Sequence, residues 1–323
     1  MRDVPCKRFL QRWKRFLLLV VCCSIVFLCL VGMESLGEKS AKFHISQHKP
    51  STKTIQELYP GGFVQPLVED CTNEVEVLIM VHSAPSHIAL RQAVRASWAS
   101  KAYLPPGVRV LFIVGRQYAK HLDWEEDDII VANFKDSYRN LSIKSTAMLD
   151  WVSHHCKPKY LLKCDDDTYI NVPLLMEKIR GVTRESWPFI AGQIGREWQP
   201  FRDKSEKYYV GLNEFPAEVY PDYATGPAYL ITGDVLAPLF QALLKEQFLA
   251  MEDILVTGIV ANWRLNVPLL EWKEFFSMRK EPGLCAAKNY VSLHYVQPEE
   301  QILLEYYRKS NSILAKFCDY FWR

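Results

Sequence analysis

Residues 160–167 read YLLKCDDD: a short apolar run, Tyr160–Cys164, ends in three consecutive aspartates. Adjacent carboxylates repel one another and gain nothing from a hydrophobic core, so this triplet calls for a countercharge. Oxygen ligands of this kind suit Mg²⁺ or Mn²⁺, ions that also neutralise a diphosphate. A solvated acidic turn is the plainer alternative. An EF-hand is excluded, because Tyr169 and Ile170 stand where that loop needs a ligand and its turn glycine.

Outward from this stretch, apolar runs of strand length alternate with helical periods. Val75–Val81, Val108–Val114 and Asp128–Phe134 read as strands and Tyr160–Cys164 as a fourth. Helices are expected from a cap at Ser86 to about Ala99, and over Leu141–His155, Val172–Arg180, Gly233–Lys245 and Asp253–Trp263. That alternation predicts an α/β fold with a largely parallel sheet covered on both faces. Ligands of such sheets bind beyond the carboxyl ends of the strands, where the triplet lies.

Phe16–Met33 is eighteen residues without a charge, about 27 Å as a helix, enough for a thin bilayer. Residues 1–15 hold six cations and one anion. Positive charge stays cytosolic, so the reading is a cytosolic tail (1–15), a signal-anchor (16–33) and a lumenal remainder. A cleaved signal peptide ending near Ser35-Leu36-Gly37 is the alternative, but the apolar run is longer than the usual 7–15 residues. Residues 34–70 are polar and broken by Pro50, Pro60, Gly61, Gly62 and Pro66, which predicts a flexible stem before a domain spanning 71–323. The net charge is +2; removing the tail's +5 leaves −3 for residues 16–323, which provides no global field for nucleic acid. Of nine cysteines five fall after the anchor (Cys71, Cys156, Cys164, Cys285, Cys318), so at least one is unpaired or intermolecular. Without a C-x-x-C pair a zinc knuckle is not expected.

Two further segments carry chemistry. Arg91-Gln-Ala-Val-Arg95 places two arginines on one face of the first helix, suited to phosphate or simply solvated. Met251-Glu252-Asp253 places two acids at a helix start, where they can complement the helix dipole or do chemistry. The segments RQAVRASW (91–98), LFIVG (111–115), EEDDIIVANFKDSYRNLSIKS (125–145), YLLKCDDDTYINV (160–172), YPDYATGPAYLIT (220–232) and EDILVTG (252–258), in this order, resemble the β-1,3-glycosyltransferases of glycosyltransferase family 31. The likeness covers about residues 71–300.

That resemblance implies a glycosyltransferase A fold and transfer of galactose or an N-acetylhexosamine from a UDP-sugar, with galactose the first choice. It implies that Asp165, with Asp166 beside it, faces the nucleotide and that Asp167 and His294 hold Mn²⁺. By the same match, Arg91, Arg95 and Asp136 flank the nucleotide, and Asp253 is the catalytic base of an inverting transfer to an acceptor glycan on lipid or protein. The family's location implies a type II protein of the Golgi membrane. Asn133 stands where the family commonly has Asp, and Ala228 where it has glycine, which puts polarity near the donor and backbone approach near the acceptor in question. Asn140-Leu-Ser142 is a glycosylation sequon, with helix capping as the other role for Asn140. A catalytically silent relative and a metal-dependent phosphohydrolase are the rival functions.

Overall fold

The computed structural model describes residues 53–64, 68–71, 74–116, 126–277 and 286–310. The tail, the 16–33 anchor, the rest of the stem, Cys285 and Cys318 lie outside the described residues. Among the described residues no helix is long and apolar enough to cross a membrane.

A seven-stranded sheet organises the body. Its centre is β1 (Val77–His82), buried at every position, paired in parallel with β2 (Val108–Gly115) and β4 (Tyr160–Asp165); β3 (Ile129–Ala132) joins β2, again in parallel. These strands are apolar throughout because both faces are covered. Side chains alternate, so Leu78 and Met80 enter one core while Val77, Ile79 and Val81 enter the other. Beyond β4 the parallel expectation is corrected. β7 (Tyr223–Thr232) runs antiparallel to both β4 and β6 (Ile190–Gly195), and β8 (Leu269–Glu271) closes the order β3-β2-β1-β4-β7-β6-β8. The sheet is therefore mixed. A second, three-stranded sheet sets β10 (Ser292–Leu293) between β5 (Tyr169–Ile170) and β9 (Phe275–Phe276).

Helices α3 (Leu141–His155), α4 (Val172–Arg180) and α5 (Gly233–Lys245) have the bounds expected from sequence. Asn171 caps α4 by accepting from the Leu174 N–H, and Pro173 lies in its first turn. The first helix of the sheet, α2 (Ile88–Ala96), is shorter than expected: Ser86 does not cap it, and Ser97 Oγ turns back onto the Ala93 carbonyl. The segment expected over Asp253–Trp263 is a wide π-helix, Ile254–Arg264. Near the other end, α6 (Ala286–Asn289) precedes α7 (Pro298–Lys309), which begins at a Gln297/Glu300 capping box.

The stem boundary at residue 70 also needs correction. Thr54 and Glu57 form a capping box around α1 (Ile55–Leu58), and Ile55 is fully buried. Thr54 bridges Gln247, Tyr59 OH donates to Asp150 Oδ2 at 2.6 Å, and Phe63 bridges Ala132. Residues 53–64 thus pack on the body, because Ile55, Tyr59 and Phe63 have apolar surface to bury. A Cys71–Cys156 disulfide fastens the following segment to the end of α3, while Cys164 is a buried free thiol.

Candidate active site

The parallel strands deliver their carboxyl ends to one edge of the sheet: His82 from β1 and Asp165 from β4, which are register partners. Because β7 is antiparallel, its beginning (Tyr223, Thr225, Gly226) arrives at the same edge. These residues line a cavity of about 1160 Å³, somewhat more than the ~1,000 Å³ upper range for a single small-molecule site.

The aspartate triplet turns off β4 in a tight loop, with Asp166 N–H donating to the His82 carbonyl and Thr168 N–H to the Asp165 carbonyl, each at 3.1 Å. Pairing of β10 with β5 brings the distant His294 against this loop. Ligand atoms of Asp165, Asp167 and His294 all lie within 4.8 Å of one another. His294 Nδ1 is 3.2 Å from the Ser277 carbonyl, which can only accept, so Nδ1 carries the proton. Nε2 is left with a lone pair, 3.4 Å from Asp167 Oδ1. Two lone pairs at that spacing require a proton or a cation between them. A ring nitrogen anchored by its opposite N–H, facing two carboxylates, is a fitting donor set for a divalent ion. Burial pushes the Asp165 pKa up despite the attraction of Lys163, and Asp167 adds to the rise. At Asp167 burial acts the same way, but when a proton sits on His294 Nε2 the hydrogen bond and charge of that ring outweigh it and the pKa falls.

Lys163, 2% exposed, runs behind this group. Its Nζ donates to Asp165 Oδ1 at 2.7 Å and to the Gly226 carbonyl at 2.5 Å, and lies 3.7 Å from Glu252 Oε2. Burial opposes its charge, yet Asp165 and Glu252 hold its pKa above the ordinary lysine value.

Glu252 and Asp253, neighbours in sequence, have different surroundings. Glu252 is buried and accepts from both Ser145 Oγ and Tyr229 OH on one oxygen, with Lys163 near the other. Its carboxylate is a structural hub. Asp253 is half-buried and opens on the cavity. Two backbone donors orient it: Gly226 N–H to Oδ2 at 2.9 Å and Ile254 N–H to Oδ1 at 3.0 Å. A Cβ on Gly226 would stand 3.2 Å from Asp253 Oδ2, so glycine permits the close approach. Burial, and then the charge of Glu252, raise the Asp253 pKa from 3.8 to about 6, against the pull of those N–H groups. A carboxylate so tuned can accept a proton near neutrality.

The opposite wall is aromatic. Tyr138, Trp198, Phe201, Tyr208 and Tyr295 line the cavity, with Trp198 and Phe201 each 47% exposed. Flat apolar faces beside polar groups match the C–H faces and hydroxyls of sugar rings.

The candidate residues from sequence are not all brought together. Asp165, Asp166, Asp167, His294, Asp253 and Asp136 line the cavity; Arg91 and Arg95 do not. Arg91 is fully buried and donates to Ser83 Oγ, Ala84 O and Pro85 O, bracing the loop after β1. Arg95 forks onto Asp128 at 2.9 and 2.7 Å and lies over the Phe112 ring. The expectation that both flank the nucleotide is corrected accordingly: helical spacing shows which residues share a face, not what that face meets. Asp136 accepts from Gly115 N–H and from Lys144 Nζ, both at 2.8 Å. The Asp166 carboxylate pairs with His87 Nδ1 at 2.9 Å, and its carbonyl accepts from Gln301 Nε2 of α7, whose Oε1 in turn accepts from Trp98 Nε1. Asn140 makes no side-chain cap; its Nδ2, the atom a glycan would occupy, donates to the Lys135 carbonyl at 2.9 Å. Asn133 and Ala228 do not line the cavity, and Asn133 instead ties Gly61 and Gly62 to the end of β3. Lys163, Lys144 and the aromatic wall carry no functional reading from sequence, and Glu252, one of the two acids at the helix start, turns out to hold the fold together. A lysine inside an apolar strand was the available signal for Lys163.

A family model described as galactosyltransferase matches residues 89–269, more than half of the chain. The chain belongs to the galactosyltransferase family. Among its curated relatives, the rat lactosylceramide 1,3-N-acetyl-beta-D-glucosaminyltransferase is 28% identical over 295 residues, covering 81% of this chain and 77% of the relative. Mouse beta-1,3-galactosyltransferase 5 is 29% identical over 269 residues, covering 80% and 86%. The human lactosylceramide enzyme is 32% identical over 211 residues, 60% of this chain and 56% of its own length. Among solved structures, the galactosyltransferase LgtC with donor and acceptor sugar analogs covers 75% of this chain and 99% of its own, at 12% identity and a TM-score of 0.39. In this family member the matched region runs from α2 to β8 and includes the acid triplet and Asp253, but not His294.

Proposed function

We propose that this galactosyltransferase-family protein moves a hexose from a UDP-sugar to the 3-hydroxyl of an acceptor glycan, forming a β-1,3 linkage with inversion. Galactose is the preferred donor sugar and N-acetylglucosamine the second choice. The observation that carries this reading is a single cavity holding both Asp253, with its pKa near neutrality, and the Asp165–Asp167–His294 group. Asp253 takes the proton of the attacking acceptor hydroxyl, and the Gly226 and Ile254 N–H groups keep the carboxylate aimed. Asp165, Asp167 and His294 would hold a divalent cation, Mn²⁺ by the family's habit, which when bound neutralises charge on the leaving diphosphate. Lys163 fixes Asp165 on one side and the Gly226 backbone on the other, keeping diphosphate site and base in register. One base and no required side-chain nucleophile fit a single displacement, turning an α-linked donor into a β-linked product. Trp198 and Phe201 offer exposed ring faces for the acceptor.

The names of the rat and mouse relatives support both donor choices, and the rat enzyme's name supports a glycolipid acceptor as one option beside glycoprotein. We assign the protein to the Golgi membrane as a type II protein anchored by residues 16–33, on the charge asymmetry around that apolar run. A C-terminal tag shielded from protease in intact vesicles is the expected result, and digestion without detergent would refute that topology. For the activity, the purified full chain is assayed with UDP-galactose, UDP-N-acetylglucosamine and UDP-N-acetylgalactosamine against glycolipid and glycoprotein acceptors. Acceptor-dependent release of UDP with a β-1,3 product is expected. Release of UDP that ignores the acceptor would favour the phosphohydrolase reading, and no turnover with bound UDP the silent relative.

A further inference from the structure

Buried polar side chains are nearly always hydrogen-bonded, so those without a partner point to something they are kept for. Among the described residues four buried side-chain atoms lack one: both ring nitrogens of His82, Thr225 Oγ1 and Ser153 Oγ. The first three belong to the same cavity. His82 is 4% exposed and Thr225 7%, so bulk water does not satisfy them.

Their placement follows from strand order. β4, ending at Asp165, lies between β1, ending at His82, and β7, which begins beside Thr225. Neighbouring strands are about 4.8 Å apart, so the two groups flank the acid triplet on either side. Thr225 adjoins Gly226, the residue that orients Asp253. The hexose must lie on that side, since its anomeric carbon is where the proton-losing hydroxyl attacks. A diphosphate over the triplet then directs the nucleoside toward β1 and His82.

The chemistry of the two groups is also selective. An imidazole with one N–H and one bare nitrogen offers one donor and one acceptor, and a hydroxyl likewise both donates and accepts. Neither group brings the positive charge that a phosphate would call for. Each complements an alcohol. Resting on the donor reading above, we propose that Thr225 hydrogen-bonds a hydroxyl of the transferred hexose and His82 a polar group of the nucleoside, so that Thr225 is a donor-selecting residue.

The direction of a stability change separates this role from a structural one. Replacing a hydroxyl bonded within the protein destabilises the fold, whereas removing one left unpaired until ligand arrives is neutral or stabilising. Thr225→Val, Thr225→Ser and His82→Phe are made in the full chain, and melting temperature and calorimetric affinity are measured with Mn²⁺ for UDP and UDP-galactose. Thr225→Val is expected to melt no lower than wild type. It should bind UDP-galactose about three- to tenfold more weakly, with UDP affinity unchanged, and Thr225→Ser should restore the loss. His82→Phe should weaken UDP and UDP-galactose alike by a similar factor. Unaltered UDP-galactose affinity in Thr225→Val would overturn the Thr225 assignment. So would a clear fall in its melting temperature with both affinities lowered together. A wild-type protein that binds neither probe would overturn the donor reading itself, and this inference with it.

Discussion

Asp253→Asn separates chemistry from folding. The ionised carboxylate is disfavoured in the fold: its pKa rises from 3.8 to about 6, and at about 1.4 kcal/mol per unit that is roughly 3 kcal/mol against folding at neutral pH. The sign follows from proton binding. Between about pH 4 and 6 the folded state holds the Asp253 proton more tightly than the unfolded chain, so this group's contribution to stability declines as pH rises through that window. Asparagine removes the charge but has one oxygen where the carboxylate uses two, so either the Gly226 or the Ile254 N–H loses its acceptor. That loss costs about 1–3 kcal/mol. The two effects nearly cancel, and the variant should melt close to wild type at pH 7 and lack the wild type's decline between pH 4 and 6. Turnover should fall by about 10²–10⁴-fold with donor affinity little changed. Wild-type kcat/KM should have an acid limb near pH 6, because only the ionised form accepts a proton. Calorimetry for UDP, thermal melts and a pH–rate profile on the same preparations test all of this. Turnover within a few-fold of wild type in the folded Asn variant would refute Asp253 as the base.

Asp167→Ala should remove tight Mn²⁺ binding, read by the paramagnetic signal of free ion, and weaken UDP binding with it, while chelator reproduces the effect in wild type; UDP affinity indifferent to chelator would detach the metal from this group. Glu252→Gln takes away a negative charge that helps raise the Asp253 pKa, so the acid limb of kcat/KM should move to lower pH. The same change removes the looser, 3.7 Å partner of Lys163, which keeps Asp165 at 2.7 Å, and should cost about 1–3 kcal/mol of stability, visible in denaturant melts. Cys71→Ser opens a loop of 85 residues and should cost about 2–5 kcal/mol, measured as a lower melting temperature that reductant reproduces in wild type.

The parts of this fold legible in the sequence were those with one dominant period. Gly233–Lys245 keeps an apolar face over more than three turns, and its ends fell where expected; Leu141–His155 also ends where expected, although it is buried on nearly every side, Lys144 and three hydroxyl residues included. β7 was hidden because Gly226 and Pro227 interrupt its apolar pattern at the point where it approaches Asp253. The same backbone requirement that builds the site erased the strand signal. The first helix revealed its arginines but not their direction, which depends on Asp128 and the Ser83–Pro85 loop reaching them from outside the helix. The capping box Thr54-x-x-Glu57 was present in the sequence, and the surrounding proline and glycine obscured it. The acid triplet was readable because three adjacent carboxylates have few structural uses; Lys163 and the structural role of Glu252 were not, since buried charges gain meaning only from their partners.

The contact between Gln301 and the Asp166 carbonyl also bears on when the protein can work. Trp98, Gln301 and Asp166 form one hydrogen-bonded line from just after α2, through α7, to the acid loop. His294 reaches the same loop through β10, and Val296 N–H donates to the Asp167 carbonyl. A chain emerging amino end first therefore displays Asp165, Asp166 and Asp167 long before the residues that shape them arrive. A nascent chain halted at residue 290 should carry the whole triplet and bind no UDP, whereas one extended past Lys309 should bind it. The aspartate loop thus gains its His294, Val296 and Gln301 partners only once nearly all of the described body has been made.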